Sequence, residues 1–355
     1  MKRTFVILLA VLLIVSFIPA CSAPSQSPGL SEGSSFEAHF IDVGQADATL
    51  VLCGNESMLI DGGNADDSNL IYTYLEKHGV THLDYIVCTH AHEDHVGGLS
   101  GALNYATVDT ALCPVMEYDS NVFSNFKECL DQQDVRITVP QAGDTFSLGD
   151  AHVTVLGPIS DTDNANNTSI VLKITYGDTS FLFTGDAERD EEQDILDAGY
   201  DLASTVLKVG HHGSDTSTSY QFLLEVMPKY AVIFVGTGNT YGHPHAESLS
   251  RLRDASVTVY RTDLQGDILC TSDGETVTFT TSKNQNTDTM PGLGPNSTQV
   301  QDNIDFYILN TNTMKFHFPD CASVAQIQEE NYQEFSGSRQ ELLEQDYFSC
   351  GNCKP

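Results

Sequence analysis

The chain has 355 residues, which is enough for one large domain with a sizeable core and one small domain. Its 16 lysines and arginines face 49 aspartates and glutamates, so the formal net charge is −33. This charge repels nucleic acid over most of the surface and excludes binding that depends on broad neutralisation of phosphates. It does not exclude a substrate that is held locally through bound cations.

The N-terminus has the pattern of an export signal. Lys2 and Arg3 precede an apolar run over residues 5–18, which is shorter than the roughly 20 residues that span a bilayer. The run ends near Cys21, in a pattern similar to bacterial lipoprotein signals. We therefore predict a signal peptide over 1–20, a lipid anchor on Cys21 and a flexible tether over 21–35. Ordinary cleavage after Ala23, which would give a secreted protein, is the alternative.

Short apolar runs broken by turns follow from residue 36 to residue 282 and alternate with helical patterns. Metal-binding or catalytic side chains would converge at one sheet edge if they follow the ends of such strands. Strands are predicted at 37–43, 49–53, 58–60, 85–88, 170–175, 180–184, 205–209, 230–235, 257–260 and 276–280, and helices around residues 70–75, 123–130, 195–196, 222–226 and 249–252.

Residues 89–98 read Thr-His-Ala-His-Glu-Asp-His-Val-Gly-Gly, directly after the predicted strand at 85–88. Such crowding of imidazoles with a carboxylate favours a metal site, because neutral imidazole is the commonest metal ligand in proteins. Alternate residues of a tight turn, His90 and His92, can point two rings at one ion, while Asp94 and His95 reach a second. A solvated histidine-rich loop is the alternative.

This cluster resembles the signature of the metallo-β-lactamase superfamily, H-x-H-x-D-H followed by Gly-Gly. Further landmarks occur in the order typical of that family, at residues 59–63, 181–186, 207–214 and 241–244. The His-His-Gly-Ser element at 211–214 and Asn-Asn-Thr-Ser at 166–169 are most similar to the hydrolase domain of ComEC-type competence proteins. The resemblance implies an α+β fold, a four-layer αββα sandwich over 36–282.

The resemblance also implies a site for two divalent ions. It assigns His90 and His92 to one ion, Asp94 and His95 to the other, and Asp186 as a ligand shared by both. We choose His243 as the remaining ligand of the second ion, with His211 as its competitor. The histidine that does not coordinate would hold the phosphate or move a proton, so His211 is a catalytic candidate. Asp94 is the second catalytic candidate.

Three further residues have supporting roles in this interpretation. Asp61 resembles the family's acid at a strand end, which supports the histidine loop by hydrogen bonds without binding metal. His212 is a candidate ligand or substrate-binding residue, and otherwise helps to orient the ligands. Many family members have a further histidine before the strand that leads to Asp186, whereas residues 164–169 here contain none. Manganese is therefore as credible as zinc, with Asn167 as a candidate ligand or substrate donor.

The last fifty residues contain a second metal-binding pattern, beyond a polar linker predicted at 283–303. The spacing H-x3-C and C-x2-C offers the four ligands of a tetrahedral structural zinc, His317, Cys321, Cys350 and Cys353. Residues 304–355 resemble the zinc module of the DNA-repair protein Ada. Its methyl-accepting cysteine is replaced here by His317, so methyl acceptance is not implied. Disulfides are the alternative for these cysteines.

Together these patterns predict an exported, membrane-tethered hydrolase with two divalent ions, Zn or Mn, and one structural zinc. We expect it to act on phosphodiesters, DNA first among them, through a metal-bound hydroxide. Hydrolysis of another ester, such as a phosphocholine, or of a lactam is the alternative within enzymes. A DNA- or wall-binding lipoprotein without catalytic activity is the alternative outside them. No protein partner is predicted.

Overall fold

The computed structural model describes residues 35–290, 305–317, 321, 323–337, 342, 345 and 347–350. The predicted signal peptide, Cys21, most of the tether, most of the linker and Cys353 lie outside these residues. Within them, no helix combines the length and the apolar composition that crossing a membrane requires.

The described strands, in chain order, are β1 (Phe36–Phe40), β2 (Thr49–Cys53), β3 (Glu56–Ile60), β4 (His82–Val87), β5 (Thr107–Leu112), β6 (Ile137–Thr138), β7 (Thr145–Leu148), β8 (Ala151–Gly157), β9 (Val171–Tyr176), β10 (Thr179–Phe183), β11 (Val206–Lys208), β12 (Tyr230–Ile233), β13 (Thr258–Arg261), β14 (Ile268–Ser272), β15 (Val277–Thr281), β16 (Asp305–Asn310), β17 (Lys315–His317), β18 (Tyr332–Gly337) and β19 (Phe348–Ser349).

The described α-helices are α1 (Ser68–His78), α2 (Glu93–Val96), α3 (Leu99–Tyr105), α4 (Asn121–Gln132), α5 (Arg189–Ala198), α6 (Tyr220–Val226), α7 (Ala246–Asp254) and α8 (Thr262–Gln265). Short 3₁₀ turns lie at Ala65–Asp67, Asn166–Thr168, Gly210–Gly213, Val324–Gln326 and Glu329–Asn331.

Two large sheets form a four-layer sandwich over the described residues. The strand order is β15-β14-β1-β2-β3-β4-β5-β6 in the first sheet and β13-β12-β11-β10-β9-β8-β7 in the second. One apolar core lies between the sheets, a second lies between the first sheet and helices α1, α3 and α4, and a third lies between the second sheet and helices α5, α6 and α7. The predicted αββα fold class is therefore confirmed.

The alternation of side chains along β10 shows why these sequences fold this way. Phe181 and Phe183 point into the core between the sheets, where the Phe181 ring lies 4.5 Å from Phe36 and the Phe183 ring 6.1 Å from Phe40. Leu182 points the other way, into the helix-facing core. A strand that is buried on both faces needs an apolar residue at every position, which explains the continuous apolar run.

The parallel strands bring the landmark residues to one edge of the sandwich. Strands β3, β4 and β5 run parallel in the first sheet, and β10 to β13 run parallel in the second. Because the carboxyl ends of parallel strands meet at one sheet edge, the loops after β3, β4, β10, β11 and β12 come together there.

Two features of the topology are not apparent in the sequence pattern. The strand Ile268–Ser272 was not predicted, and it pairs antiparallel with β1, so the last hairpin of the sandwich returns to the first sheet. The C-terminal residues form a small sheet of order β18-β16-β17-β19. Its apolar core is made by Tyr307, Leu309, Phe316, Leu342 and Tyr347.

Candidate metal centres

The histidine loop is fixed by close contact with the loop after β3. A β-carbon at Gly98 would lie 1.9 Å from the carbonyl oxygen of Gly62, and one at Gly97 would lie 2.3 Å from the amide nitrogen of Ala65. Both distances are far inside van der Waals contact, so only glycine fits at these two positions. The Gly-Gly pair that ends the signature thus allows the two backbones to pack and holds the histidines at the sheet edge.

Asp61 orients this loop and does not face the centre of the site. Its carboxylate accepts hydrogen bonds from the backbone and side chain of Thr89, at 2.8 and 2.7 Å, and from His95 Nδ1, at 2.9 Å. A histidine that donates through one ring nitrogen presents the other as a metal ligand. His95 is fully buried, and its Nε2 makes no hydrogen bond within the described structure.

Four side chains converge around the Nε2 atom of His95. It lies 3.3 Å from Asp186 Oδ2 and 3.9 Å from Asp94 Oδ2. His212 Nε2 lies 3.2 Å from Asp94 Oδ2 and 3.6 Å from Asp186 Oδ2. One ligand atom from each residue thus falls within 4.8 Å of the others. Two imidazole nitrogens and two carboxylate oxygens at this spacing suit a divalent transition metal.

His90 and His92 form an adjacent pair of ligands. His90 Nε2 lies 2.9 Å from His92 Nδ1, and the His90 ring lies 4.1 Å from the His95 ring. Burial, followed by the proximity of His95, holds the pKa of His90 well below its usual value, so this imidazole is neutral. A neutral imidazole is the form that binds a metal ion.

Asn167 lies in a loop that packs beside this pair. Its amide oxygen accepts a hydrogen bond from the backbone of Glu188, 2.8 Å away, and the nearby Ser169 hydroxyl lies 3.5 Å from His90 Nδ1. These contacts tie the loop to the residues that follow Asp186. A ligand role for Asn167 stays a prediction.

Two residues that the sequence interpretation missed stand behind the cluster. Asp47, in the loop after β1, lies 3.2 Å from His212 Nδ1 and pairs closely with the Lys208 ammonium. Lys208 also donates to the carbonyl oxygen of Gly185, at 2.7 Å, and lies 3.7 Å from Asp186 Oδ1. Both residues are buried. The available indication for Asp47 was an acid in the short loop between the predicted strands at 37–43 and 49–53, whereas no sequence pattern marks the lysine.

The site holds more negative than positive charge. Burial alone would raise the pKa of Asp186, but His95, His212 and Lys208 hold it well below its usual value. Burial would lower the pKa of His212, but Asp186 and Asp47 raise it to about 10. Four carboxylates and one ammonium give a net charge of −3 when the imidazoles are neutral. Two divalent cations would balance this charge and leave a slight attraction for an anionic substrate.

His211 and His243 lie around this cluster and not within it. His211 Nε2 is 3.7 Å from Asp186 Oδ2, and its Nδ1 is 3.3 Å from Glu188 Oε1. The ring of His243 lies 6.2 Å from that of His212, and its Nδ1 accepts a hydrogen bond from the Gln45 amide. Burial and the neighbouring His212 lower the pKa of His243 to about 4, so it is neutral.

The geometry therefore favours His212 over His243 and His211 as the remaining ligand of the second ion. The reason lies in the backbone, since His211 and His212 have positive φ angles of 50° and 53°. This left-handed turn points the second histidine inward and leaves the first at the rim. Ligation itself stays a prediction for both residues.

The C-terminal cluster has the geometry of a thiolate metal site. His317, Cys321 and Cys350 are buried, and their ligand atoms lie within 4.8 Å of one another. Neither ring nitrogen of His317 has a hydrogen-bond partner within the described residues. The two sulfurs are 3.8 Å apart, which is close to the separation of about 3.8 Å for two thiolates on a tetrahedral zinc with Zn–S bonds of about 2.3 Å. Cys353, the fourth predicted ligand, lies outside the described residues.

Comparison with known proteins identifies the family. The family model of the metallo-beta-lactamase superfamily matches residues 41–237. ComE operon protein 3 of Bacillus subtilis is 32% identical over 257 residues, covering 67% of this chain and 33% of its own length. Recombination protein 2 of Haemophilus influenzae is 30% identical, covering 64% and 28%, and competence protein ComA of Neisseria gonorrhoeae is 30% identical, covering 63% and 30%.

The chain thus spans about a third of the length of these curated relatives. Among solved structures, the metallo-beta-lactamase fold protein YhfI from Bacillus subtilis is 16% identical with a TM-score of 0.42, covering 63% of this chain and 96% of that one.

Replacement of His212 by alanine is expected to remove one of the two predicted divalent ions, because His212 Nε2 lies beside both Asp94 and Asp186. His243→Ala is the matched control and should keep both. Protons compete with the metal ion for the ring nitrogen of His212, whose pKa is raised to about 10. The affinity of the wild-type chain for the divalent ion should therefore rise from about pH 6 to pH 9, and it should rise less in the His212 variant. Metal analysis after dialysis and calorimetric titration measure these effects. Loss of an ion only in His243→Ala would restore the sequence assignment.

Cys321→Ser is expected to remove one zinc per chain and to expose residues 305–350 to protease, because metal binding would supply most of the stability of so small a sheet. Cys270→Ser, which alters a buried cysteine in the sandwich, is the control and should keep the zinc. Zinc content and limited proteolysis of the full chain check this. An unchanged zinc content in Cys321→Ser would contradict the site.

Proposed function

The chain belongs to the metallo-β-lactamase superfamily and is a metal-dependent hydrolase related to competence proteins, and from this we propose that it cleaves phosphodiesters, DNA first among them. The observation that carries the proposal is the pair of adjacent ligand sets at one sheet edge. His90 and His92 form one set, and the four-residue group around His95 Nε2 forms the other.

Divalent cations held by these residues would lower the pKa of a bound water and neutralise the oxygens of a phosphodiester in the transition state. The family resemblance assigns Asp186 to both ions, and its Oδ2 atom faces His95 and His212 of the second ligand set. Asp94, partly exposed and 3.2 Å from His212 Nε2, would hold the attacking water in line. No serine or cysteine nucleophile is needed for this reaction.

His211 is placed to act on the leaving group. Its Nε2 faces the site beside Asp186, while its Nδ1 faces Glu188, 3.3 Å away. When the ring is protonated, Nδ1 donates to this carboxylate, and Nε2 carries a proton that it can transfer to the departing oxygen or donate to a phosphoryl oxygen. This dual role is consistent with the partial exposure of the ring.

The names of the relatives support DNA over a lactam or a phosphocholine ester. One of them is named as a competence protein, one as a protein of the ComE operon, and one as a recombination protein, and recombination is a process that acts on DNA. Because this chain covers only about a third of each, the activity of those whole proteins is not transferred, and DNA cleavage is proposed for the hydrolase domain alone.

We also propose that the chain is exported and tethered to the membrane by a lipid on Cys21, with the domain boundaries predicted from the sequence. The basic start, the apolar run and the cysteine support this placement. Membrane fractionation should find the wild-type chain with the membrane and a Cys21→Ser variant in the soluble fraction. Equal membrane association of both chains would reject the lipid anchor.

The purified chain, loaded with manganese or zinc, is expected to hydrolyse bis-p-nitrophenyl phosphate and DNA. Asp94→Ala and Asp186→Ala should each lower kcat/KM by at least about a hundredfold, because each disturbs the ions. Asp109→Ala, which removes an exposed acid in the first half of β5, is the control and should retain activity.

Absence of diester hydrolysis with both ions would reject the proposed function, and a nitrocefin assay in the same series would show whether a lactam is the substrate instead. Undiminished activity in Asp186→Ala would reject the site assignment.

A further inference from the structure

Two exposed tyrosines flank the candidate metal centre. Tyr241 is 68% exposed, and its ring lies 5.6 Å from that of His243. Tyr118 is 36% exposed, and its ring lies 6.4 Å from that of His92. His92 belongs to the first ligand set, whereas His243 adjoins His212 of the second. The two rings therefore stand next to different ligand sets of the same site.

Tyr241 ends a column of three nearly parallel rings. The interplanar angle is 24° between Tyr241 and His243 and 27° between His243 and His212. The loop that holds this column is ordered by Asn239, whose side chain accepts from the amides of Tyr241 and His243 and donates to the His243 carbonyl. One face of the tyrosine is thus held outward from the site, ready to receive another flat ring.

Tyr118 lies in the loop between β5 and α4 and is also held by aromatic contact. Its ring packs edge-on against Phe123, 6.1 Å away, and edge-on to His92. Met116, two residues earlier, is 52% exposed. Met116 and Tyr118 together place exposed apolar surface beside the first ligand set, where a bound ligand can contact it.

Charge determines which contacts could hold a nucleic acid here. The described loops around the site, residues 41–48, 88–98, 113–120, 158–170, 184–189, 209–219 and 234–245, contain Arg189 as their one basic residue with a fixed charge. Its guanidinium donates to the carbonyl of Asp215, and Lys208 is buried. Phosphates beyond the scissile one would find little neutralisation, so affinity must come from contacts that do not depend on charge.

We propose that Tyr118 and Tyr241 are stacking platforms for unpaired nucleobases on the two sides of the scissile phosphate. The inference rests on the proposed function and narrows its substrate class to single-stranded DNA. Every base has a flat face, so stacking tolerates any sequence, and it compensates for the scarcity of basic groups. In a duplex those faces are covered by neighbouring base pairs, so paired DNA cannot use the platforms.

The test compares an oligothymidylate with an abasic oligonucleotide of the same length, which carries the same phosphates without bases. The ratio of their kcat/KM values is the readout, because it does not depend on metal content or on the active fraction of a preparation. For the wild-type chain we expect a ratio of at least about tenfold, as stacking on an aromatic side chain typically contributes. The base-bearing strand should also be cleaved faster than the same strand in a duplex.

Tyr241→Ala and Tyr118→Ala should each lower this ratio severalfold, and the double variant should bring it close to one. Tyr241→Phe and Tyr118→Phe keep the flat ring and should keep the ratio. Met227→Ala removes another exposed apolar side chain, at the end of α6 that adjoins the start of β11, and is the control with an unchanged ratio. The same ratio can be measured as binding, by fluorescence anisotropy, in an Asp186→Ala background that does not cleave.

A wild-type ratio near one, or a ratio unchanged in the double alanine variant, would overturn the inference. Hydrolysis of bis-p-nitrophenyl phosphate without cleavage of either oligonucleotide would also overturn it, while leaving the phosphodiesterase proposal standing. Failure to hydrolyse any of the three substrates would reject the proposed function itself.

Discussion

Buried negative charge is concentrated at one edge of the sandwich, and the histidines and the lysine of the site are arranged around it. Asp94 and Asp186 lie within 4.8 Å of each other in one group, Asp47 and Asp61 do so in a second, and His95 belongs to both; three of the four carboxylates are almost fully buried. Removing carboxylates from water is costly unless cations stand beside them. Within the described part of the chain, Lys208 is the one fixed cation in contact with the group. Protons on His95 and His212, or divalent metal ions in their place, must supply the remainder.

The same charge arranges the imidazoles. Asp61 lies behind His95 and Asp47 lies behind His212, so each inner histidine has a carboxylate at Nδ1 and a ligand atom at Nε2. Both carboxylates come from loops of the first sheet, whereas His212 and Lys208 come from the second. The site is therefore also a polar contact between the two halves of the sandwich. Its geometry follows from the way the sheets pack, and metal binding should strengthen that packing.

An acidic protein that acts on a polyanion needs one set of groups to attract the phosphates and another to recognise the bases. With a net charge of −33, the surface cannot attract nucleic acid, and only the cations at the site can engage a phosphate. Exposed rings at the rim can then recognise bases without adding positive charge. This division of roles allows a chain that carries so much negative charge to remain a candidate for DNA hydrolysis.

Features that lie within one short segment of the chain could be predicted from the amino-acid sequence. The histidine cluster at 90–95, the strand that leads to Asp186 and the pairing of His317 with Cys321 each lie within a short segment. Local spacing fixes the direction in which such side chains point, so the family, the fold class and most candidate ligands could be predicted. Much of the alternation of strands and helices followed from apolar periodicity, although the strands at 107–112, 151–157 and 268–272 were not predicted.

Contacts between distant segments of the chain became known only from the folded structure. Asp47 and Lys208 are far apart in the chain, and nothing in their local sequence indicates that they form a buried pair. His211, His212 and His243 are chemically identical, and the choice among them is set by a left-handed turn and by where the loop after β12 crosses the site. Sequence patterns record the period of each element, whereas the contacts between elements arise only when the two sheets close on a common core.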